Sequence, residues 1–325
     1  MSKSGSADNP SVDVWYGDNQ SFGHLGNPQR WVNIMGRVSG ASDIVSLTCS
    51  LNDGPKRALS IGPDIYRLLC KGDFNIDLAV NDLRDGQNMV EIVVTDEAGA
   101  TAVRDVTVDY TKGKTWPVDY RINWDEVSNI LDVAQPVDGW WGLVPGGIRP
   151  IGGLGYDRLV AVGDMMWTDY ELTVGMTIHG FDFTGKWPPA VGVLMGWNGH
   201  NDDGKQPRVK WWPLGAICWY HWRKWEERPL RPYLNIQSYR LETVGIDTSG
   251  RELETDVPYW LKARLETRGN PAGVYSMKVW PQGQQEPGPW DLQAVGAEGA
   301  LKGGSALLLS HHTDVTFGDV ACRAI

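Results

Sequence analysis

The chain is poor in cysteine, phenylalanine and positive charge, and it has no long apolar run. Its four cysteines, Cys49, Cys70, Cys218 and Cys322, contain no C-x-x-C pair. That argues against a zinc site built on thiolates. Cys49 shares parity with Val45, Leu47 and Leu51 and so faces a core; a Cys49–Cys70 bridge is open, with free buried thiols the expected state. A net charge of −10 argues against a nucleic-acid partner, because phosphate binding needs a basic field. It leaves room for an acidic sugar gripped by a few local cations. No apolar stretch approaches the ~20 residues of a membrane-spanning helix. The opening MSKSGSADNP lacks the apolar core of a signal peptide. The expectation is an intracellular protein or one trimmed of a leader, extracellular in the second case. Also missing are helical periodicity over three turns, a G-x-S-x-G elbow, a phosphate loop and a dinucleotide fingerprint.

What the chain has in excess is tryptophan, 17 residues against five phenylalanines. Each buried indole removes roughly 150–250 Å² from water, about 4–6 kcal/mol by area. A large core is therefore available, and indoles beyond its needs suit stacking on flat ligands such as sugar rings. The densest stretch is Trp211–Trp222, WWPLGAICWYHW. Read as a strand from Leu214, it sets Ala216, Cys218, Tyr220 and Trp222 on one face and Ile217, Trp219 and His221 on the other. Large residues on both faces indicate a strand covered on both sides. It is expected near the middle of a β-sandwich, one face lining a groove.

At 325 residues the chain suits two domains of ordinary size. Residues 1–11 read as a disordered tail. Short alternating strands follow at Val12–Tyr16, Val32–Val38, Ile44–Leu51, Phe74–Val80, Met89–Thr95 and Ala102–Tyr110, parted by turns rich in Gly, Asn and Asp. The run Gly72–Tyr110, with its Asp96-Glu97-Ala98-Gly99 turn, resembles the end of bacterial immunoglobulin-like modules. The resemblance implies an immunoglobulin-like β-sandwich over residues 12–110, serving as a spacer or docking surface. Residues 111–117 read as a short linker.

Longer strands occupy the rest: Asp169–His179, Ala190–Trp197, Leu214–Trp222, Tyr233–Tyr239, Trp260–Thr267, Gly273–Trp280, Ala306–Ser310 and Val315–Cys322. Gly192 and Gly196 share one face and leave room for a ligand or another backbone. The segments Pro258–Gly283 and Ser305–Cys322, with Tyr156–Val174 before them, resemble laminin-G-like, concanavalin-type jelly rolls. The fold class expected is therefore all-β, an immunoglobulin-like sandwich followed by a jelly-roll sandwich over residues 118–325. The resemblance further implies a structural calcium ion, with Asp157, Asp314 and Asp319 as its candidate ligands. It is weak for activity, since this fold carries lectins, hydrolases and lyases alike.

The candidate chemistry lies on the polar faces. Lys262, Arg264 and Glu266 share one face of their strand, and Ser276, Lys278 and Trp280 share one face of the next. Cations and an indole on neighbouring strands suit an anionic or hydroxyl-rich sugar, as do solvated cross-strand ion pairs. Glu171, His179 and His221 are the titratable groups of two further polar faces. Glu171 and His179 lie about 27 Å apart along one strand, so any partner must come from another. His200 lies in the turn-forming loop GWNGHNDDGK, and the adjacent His311 and His312 point to opposite faces. The loop Arg223–Arg231 reads as a flap over the groove or a solvated hairpin end. No E-x-D-x-x-E run of hydrolases of this fold is present.

Two function classes rest on these residues. One is carbohydrate recognition by Trp197, Asn198, Trp219, Lys262, Lys278 and Trp280 in a single aromatic groove. The other is glycan cleavage in the same groove, by a lyase or hydrolase using Glu171, His179, His221 and Arg264. A structural adhesion module is a third.

Overall fold

The computed structural model describes residues 9–222, 232–247, 249–269 and 272–325. The Arg223–Arg231 loop lies outside them. Every extended element is a strand, and the helical content of the described residues is three short 3₁₀ turns.

Two sandwiches follow one another along the chain. In the first, Ser11–Val14, Trp31–Ser39 and Asp73–Ala79 form a three-stranded sheet in that order. It faces a five-stranded sheet ordered Asn19–Phe22, Thr101–Tyr110, Gly86–Asp96, Ile44–Leu51, Arg57–Ala58. Asn19–Phe22 runs parallel to Thr101–Tyr110, while the other pairs are antiparallel. Alternation explains the packing: Val90, Ile92 and Val94 are buried in the shared core with Ile34, Phe74 and Ile76.

The second sandwich has a seven-stranded sheet ordered Gln135–Asp138, Arg158–Val162, Ser305–His311, Ala190–Trp197, Ala216–His221, Tyr233–Ser238, Glu242–Asp247. Its partner is an eight-stranded sheet. Seven strands run in the order Trp140–Val144, Gly147–Ile151, Thr313–Ala324, Tyr170–Phe181, Pro258–Glu266, Val274–Pro281, Leu292–Val295, and Tyr120–Ile122 joins beside Thr313–Ala324. Tyr170, Leu172, Val174, Met176 and Ile178 point inward from one sheet and meet Val191, Val193, Met195, Cys218 and Tyr220 from the other. The Trp-rich strand is interior to its sheet, and its second face is also covered. Val137, Leu159, Leu194, Trp197, Ile217, Trp219, Leu307 and Leu309 form a separate cluster outside the sandwich core, with Trp211 packed on it.

The first sandwich meets the second at a buried polar junction. Arg67, 4% exposed, donates to both oxygens of Asp77 at 2.8 and 3.1 Å, to Asp138, and to the carbonyls of Arg208 at 2.8 Å and Val137 at 3.2 Å. Trp31 Nε1 donates to the His200 carbonyl at 2.7 Å, and the Arg208 guanidinium lies 3.6 Å from the Trp31 ring centroid. Burial pushes the Asp138 carboxyl up to about 7 against the pull of Arg67. His200, taken from sequence as a turn residue, is buried in this junction, with Asp138 3.6 Å away. All four thiols are free.

Candidate functional site

The outer face of the seven-stranded sheet carries a row of side chains set by strand register. Arg158 pairs with Ser310, which sets the preceding Asp157 opposite His311. His311 pairs with Ala190, Ala190 with His221, and His221 with Tyr233. One step along the strands, Leu309, Gly192, Trp219 and Asn235 form the next row. Period-two alternation puts these residues outward while Val191, Cys218, Tyr220 and Leu234 enter the core.

The row is an aromatic track. Trp219 meets His221 edge to face at 4.1 Å between centroids, and His221 stacks on Tyr233 at 5.4 Å with 10° between planes. In the other direction His311 lies 6.4 Å from Trp219, and Tyr156 lies 4.9 Å from His311. Tyr66, from the first sandwich, meets Tyr156 edge-on at 6.5 Å. Tyr156, His312, Tyr233 and Gln237 are half-buried and form the rim. Trp219 Nε1 and Asn235 Oδ1, on paired residues, are buried without a hydrogen-bond partner among the described residues.

Within the track one histidine is oriented by a carboxylate. His311 Nδ1 lies 2.7 Å from Asp157 Oδ1. Nδ1 donates to this carboxylate, which fixes the ring's direction and turns Nε2 the other way. Burial pushes the Tyr156 hydroxyl up, with Asp157 and Tyr66 adding to the effect. Burial likewise lowers the His312 imidazole, followed by repulsion from His311. The row therefore presents the half-buried rings of Tyr156, His312 and Tyr233 at its rim, above the buried Trp219, His221 and His311, with His311 held in a fixed direction.

No protein-family model matches the chain, and no curated protein matches it. Among solved structures, the VIP36 exoplasmic/lumenal domain in its Ca2+/Man3GlcNAc-bound form is 11% identical, covering 60% of this chain and 86% of that one, with a TM-score of 0.41. The Emp46p carbohydrate recognition domain in its metal-free form is 10% identical over 65% of this chain and 99% of that one, TM-score 0.42. A mutant of alginate lyase Aly36B in complex with alginate trisaccharide is 12% identical over 64% and 99%, TM-score 0.39. At such identities and scores these likenesses do not decide what this chain binds.

The residues expected to share one groove are divided between two faces. Trp197, Asn198, Trp219 and His221 belong to the seven-stranded sheet and the loop after it. Glu171, His179, Lys262, Arg264, Lys278 and Trp280 project from the opposite outer face of the sandwich, on the eight-stranded sheet. The single trough is therefore corrected to two separate surfaces. Trp197 is fully buried in the outer cluster, edge-on to His200, and lines no groove. Asn198 is a junction residue whose carbonyl accepts from Arg30 Nε at 3.2 Å. The space left by Gly192 is filled by Trp219 of the adjacent strand.

The charged face is a closed network. Glu171, 1% exposed, accepts from Arg264 at 2.7 Å and from Arg323, and pairs with Lys262 at 3.0 Å. Burial would raise its carboxyl, but these cations hold it at about 2. Glu286 bridges Lys262 and Lys278 at 2.8 Å each, and Trp290 lies under both Lys278 and Arg264. Trp280 lies beside Lys278 at 5.8 Å. His179 stands further along the same strand, between Asp256 at 2.8 Å and Thr316 Oγ1 at 2.9 Å.

The three candidate calcium ligands do not form one set. Asp157 holds His311, Asp314 pairs through both oxygens with Arg149, and Asp319 accepts from the Trp124 amide at 3.2 Å. Among the described residues no group of three or more His, Cys, Asp and Glu is arranged to hold a metal ion. The sequence reading missed Tyr156 and the Asp157–His311 pairing. The one available signal was that both residues adjoin strands, Asp157 before Arg158–Val162 and His311 at the end of Ser305–His311, but their register was not readable.

Proposed function

We propose that this protein recognises carbohydrate on the outer face of the seven-stranded sheet. The observation that carries the reading is the Trp219–Asn235 pair, two adjacent polar groups inside an aromatic row that have no hydrogen-bond partner among the described residues. A buried unpaired polar group costs about 1–3 kcal/mol, a cost that hydroxyls of a bound sugar would offset. Indole and phenol faces supply the stacking surface that pyranose rings need. All three similar structures are carbohydrate-bound forms or carbohydrate recognition domains, consistent with this class. The test is affinity electrophoresis of the full chain through gels of neutral and uronate polysaccharides. Retardation by at least one of them that Trp219→Phe weakens supports the reading; equal mobility in all gels overturns it.

A second reading, glycan cleavage, is favoured by the Asp157–His311 pair beside the Tyr156 phenol. Elimination next to a uronate needs a base, a proton donor and a cation to neutralise the carboxylate. His311 and Tyr156 suit the first two roles. The cations Lys262, Arg264 and Lys278 lie on the opposite face, and hydrolysis would need a second carboxyl about 5–9.5 Å from Asp157. Recognition is therefore the preferred reading. Unsaturated product or new reducing ends on incubation with the retarding polysaccharide would reverse that preference.

We also propose a finer description of the two sandwiches. The opening strands of the first are divided between its two sheets, and the second of them runs parallel to the last strand. That arrangement supports an immunoglobulin-like module over residues 12–110; with it we propose a linker at 111–117, and the two facing sheets of the second sandwich support a laminin-G-like jelly roll over 118–325.

A further inference from the structure

The aromatic row does not stop at the edge of the sheet that carries it. From Tyr233 it crosses His221, Ala190 and His311 to Asp157, one residue per neighbouring strand. Four strand spacings of ~4.8 Å make that span about 19 Å. The strand beyond, Gln135–Asp138, is the edge of the sheet, and there the first sandwich takes over. Arg67 of that sandwich donates to the Val137 carbonyl at 3.2 Å and to Asp138. Its neighbour Tyr66 meets Tyr156 edge-on at 6.5 Å, which continues the row onto the other sandwich.

Tyr66 is 43% exposed, and Ile65 beside it is 66% exposed. The turn that presents them is nevertheless tied down. Asp64 Oδ1 accepts from the amides of Tyr66 and Arg67 at 2.7 Å each and from that of Leu68 at 3.0 Å. The Asp64 amide donates to the Leu68 carbonyl at 2.7 Å. On the other side of Tyr66, the buried Arg67 is held by Asp77 and Asp138. An exposed ring on a turn fixed from both sides needs little further ordering when a ligand covers it.

Depth varies along the row. Trp219, His221 and His311 are buried, so a ligand lying over them meets the half-buried rims of Tyr233, His312 and Tyr156, and then the open face of Tyr66. A single pyranose is about the size of one such ring and covers one of them. Only a chain of sugars reaches from Tyr233 to Tyr66.

Resting on the reading of the row as a carbohydrate surface, we propose that its ligand is an extended glycan chain and that Tyr66 of the first sandwich is the outermost stacking contact. The first sandwich is then part of the binding surface. Successive contacts on one chain act at high effective concentration, so affinity grows with chain length until the chain spans both sandwiches.

The test measures affinity against chain length. The probes are xylan, laminarin, sodium alginate and sodium polygalacturonate. Each one that retards the full chain in gels is cut by partial acid hydrolysis, size-fractionated and titrated calorimetrically. Affinity is expected to rise with length and then level off. Tyr66→Ala is expected to lower the affinity of the longest fractions about fivefold, one aromatic contact's worth, and to leave the shortest fraction that binds unchanged. Tyr66→Phe, which keeps the ring, is expected to follow the parent. Trp219-dependent retardation with Tyr66→Ala matching the parent at every length overturns this inference and leaves the reading of the row standing. An equal loss at every length also overturns it, because Tyr66 would then act only by packing on Tyr156. Retardation by none of the four polysaccharides overturns the reading of the row and this inference with it.

Discussion

Trp219 crosses Gly192 of the neighbouring strand so closely that a Cβ at Gly192 would lie 2.5 Å from Trp219 Cα and 2.3 Å from the Cys218 carbonyl oxygen. Both obstacles are backbone, so no side chain can yield. Gly192→Ala is expected to cost about 1–3 kcal/mol through overpacking. Chemical denaturation measures the cost, and a parent-like midpoint would show that the contact is loose.

Trp219 itself separates packing from binding. Trp219→Ala removes a large side chain from the outer cluster and is expected to cost about 3–5 kcal/mol. Trp219→Phe keeps most of the packing while removing the indole N–H and part of the stacking surface. It is expected to weaken polysaccharide retardation several-fold with a much smaller stability loss. Retardation that falls only in proportion to unfolding would assign Trp219 to structure alone.

Asp157→Asn tests what the oriented histidine does. The amide presents either a donor or an acceptor to His311 Nδ1 and removes the charge that fixes the tautomer. If the row recognises sugar, binding is expected to fall less than about tenfold, one hydrogen bond's worth. If it cleaves, product formation would collapse while binding persists. Retardation and product assays on the same preparation distinguish the outcomes.

Glu171 makes a pH prediction with a definite sign. Its carboxyl is held at about 2 in the folded protein, below an ordinary value of 4.5. The stabilisation is therefore present above pH 4.5 and lost as pH falls towards 2. Glu171→Gln is expected to cost about 3–5 kcal/mol at neutral pH by leaving buried Lys262 and its neighbouring arginines short of a counter-charge. Urea midpoints measured across the acid range should fall steeply for the parent and more gently for the variant. Parallel curves would contradict the network.

Arg67 makes a prediction of the opposite slope. Burial raises Asp138 to about 7 from 3.8, so its contribution is full below the lower value and lost as pH rises through the upper one. Arg67→Met removes the counter-charge of both Asp77 and Asp138. It is expected to cost about 3–5 kcal/mol and to steepen the loss of stability towards alkaline pH. Thermal unfolding at several pH values checks both, and a variant as stable as the parent would remove the junction from the account.

Alternation, which recurs every two residues, was legible without coordinates. It determined that the protein is all-β, that Ala216–His221 is a strand with large residues on both faces, and that Glu171, Lys262, Arg264 and Lys278 face away from a core. Turn residues marked the strand ends for the same local reason: they act on the dihedrals of their own segment. Sheet membership is a different kind of fact. It depends on pairing between strands far apart in the chain, and parity cannot say which of two sheets a strand joins. That is why Trp219 and Arg264, placed in one trough by residue type, stand on opposite faces. It is also why the Asp157–His311 contact, across 154 residues, and the insertion of Arg67 between the sandwiches were invisible until the chain was folded.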